Sequence, residues 1–344
     1  MRSVSVLLLC GLSVWSGCML KPEAVGSDHE VVVVVSSRIW DRCEESVRAI
    51  FERTVATPQR EPVFTLRVVG PEDFDFYRKF RNVLILTPLS GEDETASLVN
   101  SLLSGPARAQ ILSGEAYVFQ KKDIWAREQT LTVLTGPDEA TLADTLEMKG
   151  DEIYEFVAAA LDEHVKTWLY KKGEQKQLGE KLYRKYGWTI RVPQGYWVDR
   201  EDPDRHFVFL RKSVPDRWLF VYWEEAESPD LLTEEWCLGT RAEIGSTFYG
   251  GDAIVGEYTR VERTTFNGRE AHRITGLWQN DTPEAGYAAG GPFYCYGFHD
   301  SHTKRLYLVD GAVFAPGMNK EPYLRQLDII AHTFRTKGVH AEGS

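Results

Sequence analysis

The sequence predicts an α+β protein built in two unlike halves: an α/β layer sandwich, then an antiparallel sheet with flanking helices. Three observations predict it. Val31–Val35 is apolar at every position, which suits a strand covered by helices on both faces. Up to Tyr170 such runs alternate with helical periods, the pattern of a layer sandwich. From Tyr186 onward apolar residues recur at a spacing of two, as in Trp188-Thr189-Ile190-Arg191-Val192-Pro193, with turns between the runs. A chain of 344 residues also exceeds what one core usually holds, so two domains are expected.

Ahead of both halves stands an address. Arg2 is a short positive region, Val4 to Val14 an apolar run broken by Ser5, Gly11 and Ser13, and Trp15-Ser16-Gly17-Cys18 a small-residue cleavage site ending in cysteine. The segment reads as a bacterial lipoprotein signal, cut before Cys18 and acylated on its thiol; Trp15 departs from the aliphatic residue usual at that position. The apolar run is shorter than the roughly 20 residues that cross a bilayer. Residues 19–29, with Pro22, Gly26 and Ser27, read as a tether. Met19 stands where Asp commonly signals retention in the inner membrane, so an outer-membrane, periplasm-facing location is expected.

The first domain is expected over 30–170. After Val31–Val35, a helix from Arg38 to Phe51 has Ser37 as its N-cap and Ile39, Trp40, Cys43, Val47 and Ile50 at helical spacing. Strands are expected at Val63–Val69, Asn82–Leu86 and Thr130–Leu134, and helices at Glu94–Leu103, Glu139–Leu146 and Asp151–Tyr170. Residues 171–184 are polar, carry Gly173 and Gly179, and read as a linker. The second domain, 185–336, has strand patterns at Phe207–Arg211, Trp218–Trp223, Ala253–Tyr258, Val261–Phe266, Arg269–Trp278, Gly291–His299 and Arg305–Ala315. Helices at Thr233–Ile244 and Glu321–Thr333 flank them, and 337–344 is a tail.

Apolar residues at 43% and charged residues at 26% argue against disorder and against a membrane bundle. A net charge of −11 disfavours nucleic acid and anionic lipid, so attachment to a membrane falls to the lipid alone. With Cys10 in the signal and Cys18 acylated, Cys43, Cys237 and Cys295 remain. Cys43 reads as a buried thiol on the first helix, and a Cys237–Cys295 disulfide is left open because spacing does not fix connectivity.

No nucleophile elbow, phosphate loop or dinucleotide fingerprint is present, and no cofactor is expected. His299-Asp300-Ser301-His302 is the most metal-like group, yet no third ligand can be named, and Asp300-Ser301 reads as a hairpin turn with both imidazoles exposed. His164 falls on the apolar face of a long helix and reads as a core histidine. The polar and aromatic residues Arg81, Asn82, Trp125, Arg127 and Gln129 lie at strand ends, where an α/β layer often forms a crevice. They are the candidate recognition surface, against a structural role in which Trp125 packs the domain edge and the arginines pair with acids.

Two resemblances extend this reading. Gly187-Trp188-Thr189-Ile190-Arg191-Val192-Pro193-Gln194-Gly195-Tyr196, with Ile329-Ile330-Ala331-His332-Thr333-Phe334, resembles the PsbP-like sandwich family over roughly residues 183 to 336. That implies a central antiparallel sheet with helices on both sides, and accessory, assembly or binding roles without shared catalytic residues. In the first half Ile39-Trp40, Pro58-Gln59-Arg60-Glu61-Pro62-Val63-Phe64, Phe80-Arg81-Asn82-Val83 and Asp123-Ile124-Trp125-Ala126-Arg127-Glu128-Gln129 resemble an envelope lipoprotein family, the domain of unknown function numbered four-eight-three-seven. Glu128 stands where that family's pattern has proline. Taken with the lipid signal, this similarity spans nearly the whole chain. The expectation is therefore a membrane-anchored, non-catalytic binding or assembly module with another envelope protein as a partner. An envelope hydrolase or metal-dependent enzyme with a site assembled from distant residues is the alternative, and a small-molecule carrier using the first-domain crevice a third reading.

Overall fold

A computed structural model of the chain describes residues 21–55, 57, 59–281 and 288–337. The expected signal, including Cys18, lies outside the described residues. The first layer begins with β1 (Glu30–Val34), α1 (Ser37–Phe51), the short pair β2 (Thr54–Val55) and β3 (Glu61–Pro62), and β4 (Thr65–Val69). It continues through α2 (Phe74–Tyr77), β5 (Asn82–Leu86), α3 (Glu94–Leu102), α4 (Gly105–Ser113), β6 (Val118–Lys122) and β7 (Thr130–Leu134). The sheet order is β4-β1-β5-β7-β6, with β6 antiparallel to its neighbour and the rest parallel. β5 is buried along its whole length and β1 from Val31 on, as their apolar runs require. Edge strand β6 is half exposed and polar, which is why no periodicity announces it.

One face of this sheet packs on α1 and α5 (Glu139–Lys171), the other on Phe74 and Val99 of α2 and α3. The two helices expected over 139–170 are a single one of 33 residues. Gly150 marks a close approach and not a break: a Cβ there would lie 2.8 Å from Ile50 of α1, so only glycine lets the helices touch.

The expected linker is also structured. α6 (Lys176–Tyr186) turns Leu182 and Tyr186 into the second core, with Leu178 beside them at the same four-residue interval. After β8 (Trp188–Thr189) come β9 (Trp197–Asp202), β10 (Phe207–Lys212), β11 (Asp216–Glu225), α7 (Glu234–Phe248) and β12 (Ala253–Phe266). β13 (Arg269–Asn280), β14 (Ala289–Asp300), β15 (Arg305–Phe314), α8 (Glu321–Ala331) and β16 (Arg335–Thr336) complete the fold. Seven strands form an antiparallel sheet in the order β12-β13-β14-β15-β11-β10-β9. The two strand patterns expected within 253–266 are one strand, interrupted by a register shift between Val255 and Arg260 and not by a turn.

Alternation sorts the side chains strictly. Leu219, Val221 and Val309 face α6 and α8, whereas Trp218, Phe220 and Leu308 face α7. The inner strands of the sheet are thus buried on both sides while the edge strands β9 and β12 stay largely open, and the protein is α+β with helices flanking the antiparallel half.

The halves meet through α8. Glu61 reaches from β3 to accept the backbone N–H groups of Lys320 and Glu321 at 2.6 and 2.9 Å, satisfying the first turn of α8. Arg325 of the same helix pairs with Asp162 of α5 at 2.5 Å.

Candidate functional site

The polar group singled out in sequence is assembled, but as an internal clamp. Asn82 opens β5 and Thr130 opens β7 directly opposite it, so Arg81 and Gln129 stand together at the amino ends of two parallel strands. The Gln129 amide donates to the Arg78 and Phe80 carbonyls, both at 2.7 Å, and accepts from the Trp125 N–H at 3.0 Å. Trp125 meets Phe74 edge-on at 5.3 Å. Arg81 pairs with Asp28 and Glu128 at 2.5 and 3.1 Å, while the His164 ring lies 3.3 and 3.0 Å from the same two carboxylates. His164 therefore joins a half-buried cluster of polar side chains and is not a core histidine. Burial pushes the Glu128 carboxyl up, but the Arg81 hydrogen bond and the nearby His164 outweigh it and hold it below the usual range.

The group holds the chain's own residues 22–30. The Arg127 N–H donates to Pro22 and its carbonyl accepts from Ala24, at 2.8 and 3.0 Å; Val25 bonds the Lys79 carbonyl and the Arg81 N–H. The Asn82 amide donates to the carbonyls of Asp28 and Glu30. The stretch read as a tether is accordingly docked from Pro22 on. Crevices in open parallel sheets lie at the carboxyl ends of strands where the order reverses, here beside Val34 and Leu86. Arg81, Trp125, Arg127 and Gln129 stand at the opposite end, so they do not line that crevice.

The histidines of the second half do not converge either. His299 contacts the Ala226 carbonyl at 2.9 Å, whereas the His302 ring is exposed, 3.6 Å from Asp300. Asp300 is buried between Arg269 and Thr336 and accepts the His302 N–H at 2.9 Å, closing the β14–β15 turn. Among the described residues no group of three His, Cys, Asp or Glu side chains could hold a metal ion. Cys43, Cys237 and Cys295 are buried free thiols, so the disulfide left open from sequence is not formed.

A different site emerges on the α7 face of the second sheet. Beyond the end of that helix a concavity of about 380 Å³ is lined by Phe209, Trp218, Tyr249, Trp278 and Phe314, with Asp252 among them. The rings form one continuous wall: Trp218 lies 5.3 Å from Trp278 and 6.0 Å from Tyr249, and Trp278 lies 6.2 Å from Phe314. Gly245 of α7 allows the turn to close, since a Cβ there would run into the Asp252 carbonyl oxygen. Asn280 then donates to the Asp252 carboxylate at 2.9 Å. At the rim Arg211 is neutralised by Asp216 at 2.5 Å and Asp199 at 3.6 Å.

Inside the same face, apart from the lining of the concavity, lies a buried ion pair. Arg241, over the Phe293 ring at 3.9 Å, bonds Asp310 at 3.2 Å, and both are almost fully buried. Arg241 Nη1, Asp310 Oδ1, the Tyr249 hydroxyl and Trp278 Nε1 are buried without a hydrogen-bond partner among the described residues. Buried polar atoms of this kind normally meet a water or a ligand group. Burial raises the Asp252 carboxyl to about 6 against the Asn280 bond and the Arg241 charge. Burial likewise takes Asp310 to about 6 despite Arg241, and holds the Tyr249 hydroxyl well above its usual range, hence neutral. Sequence reasoning missed this site because its residues come from six strands, the end of α7 and the turn after it; the aromatic strand patterns at 207–211 and 218–223 were the available signal.

Comparison with known families decides where the expected similarity falls. Residues 175–333 match the family model described as Domain of unknown function (DUF4837). The DUF4837 match thus covers the second half, including α7 and the aromatic pocket, and not the first-half motifs on which the similarity was expected. Residues 24–168 match a different model, Domain of unknown function (DUF8532). No curated protein matches the chain. Among solved structures, a point mutant of the protein Mog1 is 13% identical, at a TM-score of 0.28, over 44% of this chain and 90% of that one. The Saccharomyces cerevisiae Ran-binding protein Mog1p is 14% identical at 0.27, with the same coverage. A Bacteroides thetaiotaomicron structure is 3% identical at 0.26, over 44% of this chain and 45% of that one. Likenesses this slight transfer neither fold nor function.

Proposed function

We propose that the protein is an outer-membrane lipoprotein of a bacterial envelope, acylated at Cys18 and facing the periplasm, whose DUF4837 half is a non-catalytic binding module of PsbP-like layout. The observation that carries the binding reading is the aromatic concavity, whose wall includes two residues with a buried unpartnered polar atom, the Tyr249 hydroxyl and Trp278 Nε1. Its titratable rim and wall hold Asp199, Asp216 and Asp252 against Arg211, which favours a neutral or cationic ligand with a flat apolar face over an anion. The lipid claim is supported by the Trp15-Ser16-Gly17-Cys18 sequence. Cys18→Ser is expected to abolish acyl labelling and release the chain from the membrane fraction; retention of both sinks the lipid reading.

For the pocket, thermal unfolding in the presence of neutral saccharides and organic amines is the direct test. At a ligand concentration one hundred times Kd the wild type gains about 2.7 kcal/mol, and Trp278→Ala loses that gain. No shift with any member of either class counts against the pocket. A second reading, an envelope hydrolase, is favoured by Asp252, which lines the concavity and which burial raises to about 6, within reach of proton exchange near neutral pH. Turnover of a cell-wall or lipid substrate that disappears in Asp252→Asn, with ligand binding intact, selects it.

A further inference from the structure

The docked segment fixes where an anchor leaves the fold. Pro22, Ala24 and Val25 are hydrogen-bonded into the amino-end edge of the first sheet, and Lys21 donates to the Asp123 carbonyl at 2.5 Å. The few residues between Cys18 and Pro22 reach at most about 14 Å when fully extended. A bilayer holding the Cys18 lipid must therefore lie close to this edge.

The same edge displays apolar surface that nothing among the described residues covers. Phe76 is 72% exposed and Val25 51%. They are joined through Phe80, whose ring lies 6.1 Å from Phe76 and 4.9 Å from Tyr77, and whose backbone bridges to Val25. Gly26 permits the contact, because a Cβ there would sit 2.6 Å from the Phe80 ring. The helix α2 divides its aromatics: Phe74 goes inward to the core, while Phe76 stands outside it. Lys21, Lys79 and Arg127 are exposed around the patch, with Glu23 and Asp75 among them, so the net charge of −11 is not concentrated here.

We propose that the Val25–Phe76–Tyr77–Phe80 edge lies on the lipid surface, with Phe76 in the interfacial layer beside the acylated Cys18. This rests on the lipoprotein reading. Aromatic rings prefer the headgroup level, and a second contact next to a lipid anchor converts a swivelling attachment into an oriented one. The amino-end edge of the first sheet then faces the membrane.

The test uses the full, natively acylated protein in phosphatidylethanolamine/phosphatidylglycerol vesicles. A nitroxide is placed at Lys79→Cys, with Met148→Cys, 73% exposed on α5, as the reference. Cys18 is blocked by its lipid, and Cys43, Cys237 and Cys295 are buried. Label 79 is expected to collide several-fold more with oxygen, relative to a water-soluble nickel complex, than label 148, and Phe76→Ser is expected to erase that difference. Equal ratios at the two sites overturn the proposal. So does a difference at label 79 that vanishes on hundredfold dilution of protein over lipid, which assigns the patch to a second copy of the chain. Absence of acyl label on the wild type indicts the lipoprotein reading instead, and is scored separately on the same preparation.

Discussion

Arg241→Met is expected to destabilise the second half by about 3–5 kcal/mol, because it leaves the buried Asp310 carboxylate without its cation. Urea unfolding measures it. The double variant Arg241→Met, Asp310→Leu is expected to recover most of the loss, since an apolar pair of similar volume carries no desolvation cost. The pH dependence has a definite sign. Asp310 is raised to about 6 in the folded state from an ordinary value near 4, so the folded state holds its proton more tightly and stability falls as pH rises from about 4 through 6. Loss of Arg241 raises the folded value further. The variant should therefore lie nearer the wild type at pH 5 than at pH 8; a deficit that is the same at both excludes a role for the carboxylate.

Glu61→Ala is the second large effect, about 3 kcal/mol, read from the first unfolding transition. One carboxylate accepts two backbone N–H groups at the start of α8 and lies 3.6 Å from the buried Lys320 ammonium, so its removal strands donors in both halves' interface. Glu61→Gln keeps an acceptor and should cost less than half as much. Equal effects of the two variants would mean that charge, not capping, holds α8 in place.

Much of the fold was legible because the physics was local. Val31–Val35 reads as a doubly covered strand and Asn82–Leu86 as a strand that looks buried, and both are buried in the structure. The misreadings share a cause, which is that the deciding partner lies far along the chain. Gly150 looks like a break until Ile50 is set against it, and Leu178 and Leu182 look like stray apolar residues in a polar stretch until the second core receives them. The candidate site divides the same way. Arg81, Trp125 and Gln129 do come together, but which end of the sheet they occupy depends on Asn82 and Thr130 opening their strands. Trp218, Tyr249 and Trp278 converge only through strand register and the close approach that Gly245 permits, and no spacing rule encodes that.

The long helix α5 has a consequence for how far the two matched regions are separable. At a rise of about 1.5 Å per residue it is some 50 Å long, with Leu142 and Ile153 in one core and Leu169 in the other. A cut just before residue 175, where the DUF4837 match begins, leaves that half without Leu169 and opens a hole in its core. The same cut takes from the first half the α8 surface that Asp162 and Glu61 engage. Separating the halves at this point is therefore expected to disturb both cores, which unfolding of the two fragments would show as reduced stability of each.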